Sequence, residues 1–417
     1  MTLRISRPPA PRALARRVAD LTPPGRDRAV DALRAFAILG VVLGHWLVTA
    51  LVSTGGGELH GDSPLRHMPW LAPVSWVCQT LALFFFVGGL CAVRGYRSAR
   101  RRGAGYRQWA AGRLGRLARP AAVVLVVWAL VTGVLLALGV PGGTVRTLVN
   151  LVISPMWFLL VFAALTAATP LVARLHPGWP PAVVAVVDLA RFALGGPAWL
   201  GWVNVAAGWL VPFTLGAVCA RGGLAERYAG LPLLLGGGAA TVALVLWGGY
   251  PASMVGVPGA AVSNLSPPTL AAVAFGLAQC GLALLLMEPL RRALRRPLAW
   301  AVVALANLCA MTVFLWHQTA MMAVTALGLA VGPLPALHTA PDGPAWAALR
   351  LLWVPVFGLA LAACWAVFRR FERPSGRGRG IRRTGTVHGA HHGGGLRPAV
   401  RLPAARPLSP RPSPTAH

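Results

Sequence analysis

Lysine is missing from this chain: all 39 basic residues are arginine. Acids are scarce as well, with 10 Asp and Glu in 417 residues, and only 12% of the chain is charged. A soluble domain carries roughly 25% charged and roughly 45–50% apolar residues. The apolar share here is 56%, which excludes an ordinary water-soluble fold. A net charge of +29 is the kind of balance that marks phosphate binders, but the distribution of the arginines argues against a nucleic-acid partner. Part of the arginine excess reflects an Ala-, Gly- and Pro-rich coding style, so no single arginine carries much weight by itself. The six cysteines lie inside apolar runs with no CxxC spacing, so neither a disulfide framework nor a metal site is expected. A cleavable signal is not expected either. Residues 1–28 are basic and Pro-rich, not apolar, and the first helix is expected to act as its own membrane signal.

Long apolar runs are what the chain has instead. Val30 to Leu51, Pro120 to Val140 and Ala345 to Phe368 each reach the roughly 20 residues that a helix needs to cross the hydrocarbon core. A row of such runs predicts an all-α, polytopic helical bundle, because helices satisfy their own backbone in lipid. Ten spans are expected, near 30–51, 72–93, 120–140, 153–173, 182–196, 199–220, 231–249, 268–288, 307–331 and 345–368. The fifth is short and holds Asp188 and Arg191; only Gly195, Gly196 and Pro197 part it from the sixth. Residues 298–306 are expected to lie along the membrane interface before the ninth span begins.

Arginine placement sets the expected orientation, since positively charged loops stay cytoplasmic. With the amino terminus inside, only Arg66, Arg146, Arg191 and Arg350 fall outside. Both termini are therefore expected in the cytoplasm, in the inner (plasma) membrane with the lipid bilayer as solvent. The expected organisation is an N-terminal segment at 1–28, a membrane domain at 29–372 and a disordered basic tail at 373–417. His388, His391 and His392 in that tail lack ordered partners and are not expected to hold metal.

Ionisable residues inside a span are costly and are functional candidates by default. The first span carries Asp31, Arg34 and His45. The steps from Arg34 to His45 return a helix to within about 20° of the same face and separate them by about 16 Å. One stripe thus bears a cation near the cytoplasmic edge and an imidazole well into the membrane, with Asp31 spaced to pair with Arg34. An imidazole titrates near neutrality, as a base acting on a hydroxyl must. Spacing leaves open the plainer alternative, in which His45 bonds a neighbouring helix and Arg34 snorkels.

Arg113, Arg116 and Arg119 recur every three residues at the head of the third span and form a stripe suited to phosphate; taken alone, positive-inside loading is the simpler account of it. His317 falls near the middle of the ninth span, where interhelical packing is the competing role. Trp157 and Trp316 are candidates to line a cavity. Glu288 reads as a partner of the arginines beside it. Glu58, His60, Asp62 and His67 sit in the first external loop, where solvated residues are the simpler reading.

Arg-x10-His in the first span followed by Arg-x-x-Arg before the third resembles the signature of the acyltransferase 3 family of integral membrane O-acyltransferases. Asp31-x-x-Arg34-Ala35, Phe84-Phe85-Phe86 with Gly89, Trp157-Phe158-Leu159, Phe314-Leu315-Trp316-His317 and the closing Arg370-Phe371-Glu372-Arg373-Pro374 extend it from Arg26 to Pro374. Gly88 stands where the family commonly has Ser, and Arg113/Arg116 and Arg116/Arg119 both fit the arginine motif. The resemblance implies acyl transfer, often of acetyl, from a cytoplasmic acyl-CoA donor to a hydroxyl of a glycan or glycosylated acceptor, without a bound cofactor. His45 and Arg34 would be catalytic. Asp31, Arg113, Arg116, Arg119, Trp157 and His317 would contact substrate. A secondary transporter is the reading from another class; transporters usually show related halves, and no second Arg34/His45 segment occurs.

Overall fold

The computed structural model describes residues 11–54, 58–223 and 226–372. The tail from Arg373, with His388, His391 and His392, lies outside the described residues. Arg12 to Asp20 belong to a short helix, α1 (Pro11–Asp20), ahead of the first long one, α2 (Arg28–Val48). A hairpin follows, β1 (Ala50–Thr54) antiparallel to β2 (Glu58–Asp62) with Ala50 opposite Asp62. The remaining long elements are α3 (Leu81–Arg101), α4 (Tyr106–Ala137), α5 (Gly142–Ile153), α6 (Met156–Ala167), α7 (Trp179–Asp188), α8 (Val203–Ala220), α9 (Glu226–Leu246), α10 (Leu270–Ala293), α11 (Pro297–Leu329) and α12 (Pro344–Phe368). Among the described residues, nine helical stretches are long and apolar enough to cross a membrane, with α5 and α6 forming one span. Leu130, Leu160, Leu352 and Leu359 stay exposed on their outsides, as lipid-facing side chains do. The protein is a polytopic membrane helical bundle.

Contacts at the helix ends define two faces. On one, Asp27 pairs with Arg94 at 3.1 Å and Arg291 at 3.4 Å, which ties the start of α2 to the ends of α3 and α10. Burial alone would raise the Asp27 carboxyl, but the hydrogen bonds and positive charges of Arg94 and Arg291 outweigh it and hold it below its ordinary value. Glu288 meets Arg292 at 3.3 Å on the same face. On the other face, Arg350 at the start of α12 donates to Trp46 O, Thr49 O and Ala336 O. It thereby caps the carboxyl end of α2, where a cation suits the helix dipole.

Three segments differ from the sequence expectation. The second span begins at Leu81, not near 72, because Cys78, Gln79 and Thr80 form the wall of a cavity; irregular backbone at membrane depth is tolerated there. The fifth segment is a ten-residue helix, α7, continued by a wide π turn over Leu189–Ala193, too short to count among the nine. Its Asp188 is buried and accepts from Asn204 Nδ2, Tyr250 OH and Leu270 N. It still carries the chain across: Arg221 bonds Ala173 O before it on the arginine-rich face, whereas Asp188 sits on the face of the α10 start. Residues 298–306 are not a separate interfacial piece. They belong to one 33-residue helix, about 50 Å long at 1.5 Å per residue, whose first turns are sheathed by α1. There Trp300 donates to Thr22 Oγ1 at 2.7 Å, and the guanidinium of Arg28 lies 5.0 Å from its ring.

Close helix approach holds the centre together. A Cβ on Gly89 of α3 would overlap Phe213 O, and one on Gly216 of α8 would overlap Phe86 O. Small residues at such crossings let backbones touch in lipid. Around that contact Phe85, Trp209, Phe158 and Phe314 form the main apolar core, and the cavities open beside it.

Candidate active site

Two cavities flank this core. The first, of about 360 Å³, is lined by Arg34, Cys91, Arg113, Arg116 and Asn307 among apolar side chains of α2, α3, α4, α6 and α11. The second, of about 320 Å³, is lined by His45, Asp62, Ser63, Cys78, Gln79, Trp157 and Gln318. Phe158 and Phe314 border both, with ring centroids 5.4 Å apart. The single helix α2 supplies the arginine of one chamber and the histidine of the other, which is what the stripe through Arg34 and His45 anticipates.

In the arginine chamber both terminal nitrogens of Arg34 are braced. Its Nη1 lies 3.4 Å from Asp31 Oδ1 and 3.5 Å from Asn307 Oδ1, and Nη2 donates to Cys91 Sγ at 2.9 Å. Asp31 is buried and does not line the cavity; it also takes Arg26 Nε at 2.6 Å, so it orients Arg34 from behind. Arg113 donates to Cys91 O at 2.8 Å, which sets two guanidinium groups either side of one residue of α3. Arg116 completes the wall. Arg119, the third of the stripe, is exposed and lies outside both linings. The geometry thus brings Arg113 and Arg116, of the two pairs that fit the motif, together with Arg34. Three arginines around one cavity, Arg34 and Arg113 held by hydrogen bonds and Arg116 exposed, make a site for a polyanion, since guanidinium groups present paired donors to phosphate. Gly88 lines this chamber as well. The ring of Phe162 fills the space that a side chain at 88 would take, so aromatic packing replaces the hydroxyl.

In the histidine chamber, Gln318 Nε2 donates to His45 Nδ1 at 3.1 Å, while the Oε1 of the same amide is buried without a partner among the described residues. His317 is fully buried behind His45, with ring centroids 5.0 Å apart. His317 does not line either cavity. Its Nδ1 must donate to Phe314 O at 2.6 Å, because a carbonyl only accepts, and its Nε2 is buried without a partner. Trp157 lines the chamber. Trp316 does not; it stacks on Phe368 at 3.7 Å.

Several lining residues escape the sequence reading. Asp62 is buried, not solvated: the hairpin folds it inward, and it accepts from Ser63 N at 2.8 Å and pairs with His67 Nε2 at 2.8 Å. Glu58 and His60, on the same strand, stay exposed. Gln318 and Asn307 are polar residues in an apolar helix, a signal that was present but overshadowed by His317. Nothing in the sequence distinguishes Cys91 from the other apolar-run cysteines.

The family model described as an acyltransferase domain matches residues 27–369, which takes in every lining residue of both chambers. No curated protein and no solved structure matches the chain. The chain belongs to the acyltransferase 3 family, and it is a multi-pass membrane acyltransferase that transfers groups other than amino-acyl groups.

Proposed function

We propose that this acyltransferase takes an acetyl or other short acyl group from acyl-CoA and places it on a hydroxyl of a sugar-containing acceptor, at the inner (plasma) membrane. The observation that carries this reading is the pairing of chambers: three arginines on one side of Phe158 and Phe314, and one histidine on the other, joined by a single helix. Coenzyme A is polyanionic at one end and bears its thioester at the end of a long flexible arm. With its phosphates near Arg34, Arg113 and Arg116 at the cytoplasmic face, the thioester reaches toward His45.

With the Gln318 amide turned so that its Oε1 accepts from His45 Nδ1–H, His45 Nε2 takes the proton of the acceptor hydroxyl as the hydroxyl oxygen attacks the thioester carbonyl; the ester forms, the C–S bond breaks, and coenzyme A leaves as its thiol with that proton. Alternatively His45 carries the acyl group briefly, and the hydroxyl displaces it in a second step. Both routes give the same products. Asp31 fixes Arg34, and His317 backs the His45 ring. Surface polysaccharides, glycolipids and glycosylated natural products all offer such hydroxyls.

The test is release of CoA thiol from acetyl-CoA by the full chain in lipid nanodiscs, with and without hydroxyl acceptors. Acceptor-dependent release is expected, and undiminished acyl transfer by His45→Ala would overturn the reading. Comparing metabolite and surface-glycan masses between a deletion strain and its parent identifies acceptor and acyl group together, as a lost acyl increment.

A further inference from the structure

The charge of the two chambers divides in a way that acyl transfer alone does not require. The arginine chamber is lined by three guanidinium groups and no carboxylate, whereas the histidine chamber is lined by the carboxylate of Asp62 and, among the described residues, by no arginine. The other polar groups facing this second chamber are neutral, including Ser63, Gln79, Ser154 and Gln318. Among the described residues His45 is the only ionisable nitrogen group in its wall. Behind the wall, His67 meets Asp62 at 2.8 Å. Arg350 lies behind Thr49, with its guanidinium directed at Trp46 O, Thr49 O and Ala336 O. Those carbonyls belong to the end of α2 and the loop after α11, so this cation compensates the negative pole of a helix and offers nothing to a ligand.

Resting on the acyl-transfer reading above, we propose that the histidine chamber is an acceptor site selective against anions, and that its substrate is a neutral or amino-bearing polyol such as a hexose or an amino sugar. A carboxylate, sulfate or phosphate next to the reacting hydroxyl would meet the Asp62 carboxylate, whose charge His67 offsets only when its ring is protonated. Two unit charges several ångströms apart at an effective dielectric constant of about 20 repel strongly enough to shift occupancy tenfold or more. Hydroxyl groups would instead find donors and acceptors in Ser63, Gln79, Ser154 and Gln318. The same asymmetry keeps the anionic end of the donor out of the acceptor side, so each chamber admits its own substrate.

Native cysteines allow a test that needs no acceptor, because Cys78 lines one chamber and Cys91 the other. The wild-type chain in nanodiscs is treated with a cationic trimethylammonioethyl or an anionic sulfonatoethyl methanethiosulfonate, and labelling at each cysteine is read by peptide mass spectrometry. Rates are normalised to the same reagent's reaction with a free thiol. Cys78 is expected to favour the cationic reagent by about tenfold and Cys91 the anionic one, and Asp62→Asn should bring the Cys78 preference toward parity while leaving Cys91 unchanged. An equal or anionic preference at Cys78, or one indifferent to Asp62→Asn, overturns the proposal. A second arm compares acetyl transfer from acetyl-CoA to methyl glucoside and to methyl glucuronoside. The neutral glycoside is expected to lead by at least about tenfold, and parity overturns the proposal. If the cysteine preferences hold while no hydroxyl acceptor releases CoA thiol, it is the acyl-transfer reading that fails.

Discussion

The chamber around Arg34 and the chamber around His45 share Phe158 and Phe314 and differ in nearly every other wall residue. The arginine side is made almost wholly from helices: α2, α3, α4, α6 and α11 each contribute, Asp31, Asn307 and Cys91 hold Arg34, and the Cys91 carbonyl holds Arg113. The histidine side is half irregular. Its wall takes Asp62 and Ser63 from the end of the hairpin, Cys78 to Thr80 from the approach to α3, and Val255, Gly256 and Pro258 from the loop before α10. A rigid helical cradle suits a donor that is common to many enzymes. Loops that vary without disturbing the helices suit an acceptor that differs from one protein to the next.

This division predicts that substitutions on the two sides fail differently. The largest effect belongs to His45→Ala. Loss of a base that acts on the hydroxyl should lower kcat by about 10²–10⁴-fold while KM for acyl-CoA changes little, as measured by thiol release at saturating donor. Arg34→Ala and Arg113→Ala should show the opposite split. Each removes charge-assisted donors to phosphate, so KM for acyl-CoA should rise by about tenfold or more with a smaller change in kcat. A matched fall in kcat for all three variants would mean that the chambers do not hold separate substrates.

Phe158→Ala sharpens the comparison at the partition itself. The ring packs against Phe84 at 5.0 Å and Phe314 at 5.4 Å, and its removal joins the cavities. Water then reaches the thioester from the acceptor side, and CoA release in the absence of acceptor should rise several-fold while acceptor-dependent transfer falls. Simultaneous measurement of free thiol and acylated product separates the two.

How far the sequence announced these chambers follows from which signals survive along one helix. Arg34 and His45 were legible as a pair because both lie on α2, where helical periodicity alone fixes their relation. The Arg113 and Arg116 stripe was legible for the same reason, but not the choice between it and Arg116 with Arg119, since that rests on the tertiary bond of Arg113 to Cys91 of α3. Asp62 was not legible. Its inward turn depends on the hairpin register, Ala50 opposite Asp62, and on its pairing with Ser63 N and His67, none of which has a period. The π turn after Asp188 escaped likewise, because apolar length along 182–196 records hydrophobicity and not the tertiary hydrogen bonds that Asn204, Tyr250 and Leu270 bring to that carboxylate.

Outside the cavities the same two faces can be probed through stability. Arg350 is 1% exposed and closes the histidine side by donating to three carbonyls. Arg350→Met leaves those acceptors buried without donors, which should cost roughly 2–4 kcal/mol and lower the melting temperature in detergent. The loss should be independent of pH across the neutral range, because no carboxylate is involved in the contact.

Asp27 is the counterpart on the arginine side, and there pH should matter. Its carboxyl is held below the ordinary value by Arg94 and Arg291 against the opposing effect of burial. A depressed folded-state pKa gives stability that is fully present above the unfolded value, near 4, and is lost as pH falls through the folded one. The two ion pairs are partly exposed, with 18% of the Asp27 side chain accessible, so their worth is small, about 1 kcal/mol. Asp27→Asn should therefore lower the melting temperature slightly at pH 7, and the gap between variant and parent should close as pH is taken from 5 toward 3. An undiminished gap at pH 3 would show that packing at position 27, and not its charge, ties α2 to α3 and α10.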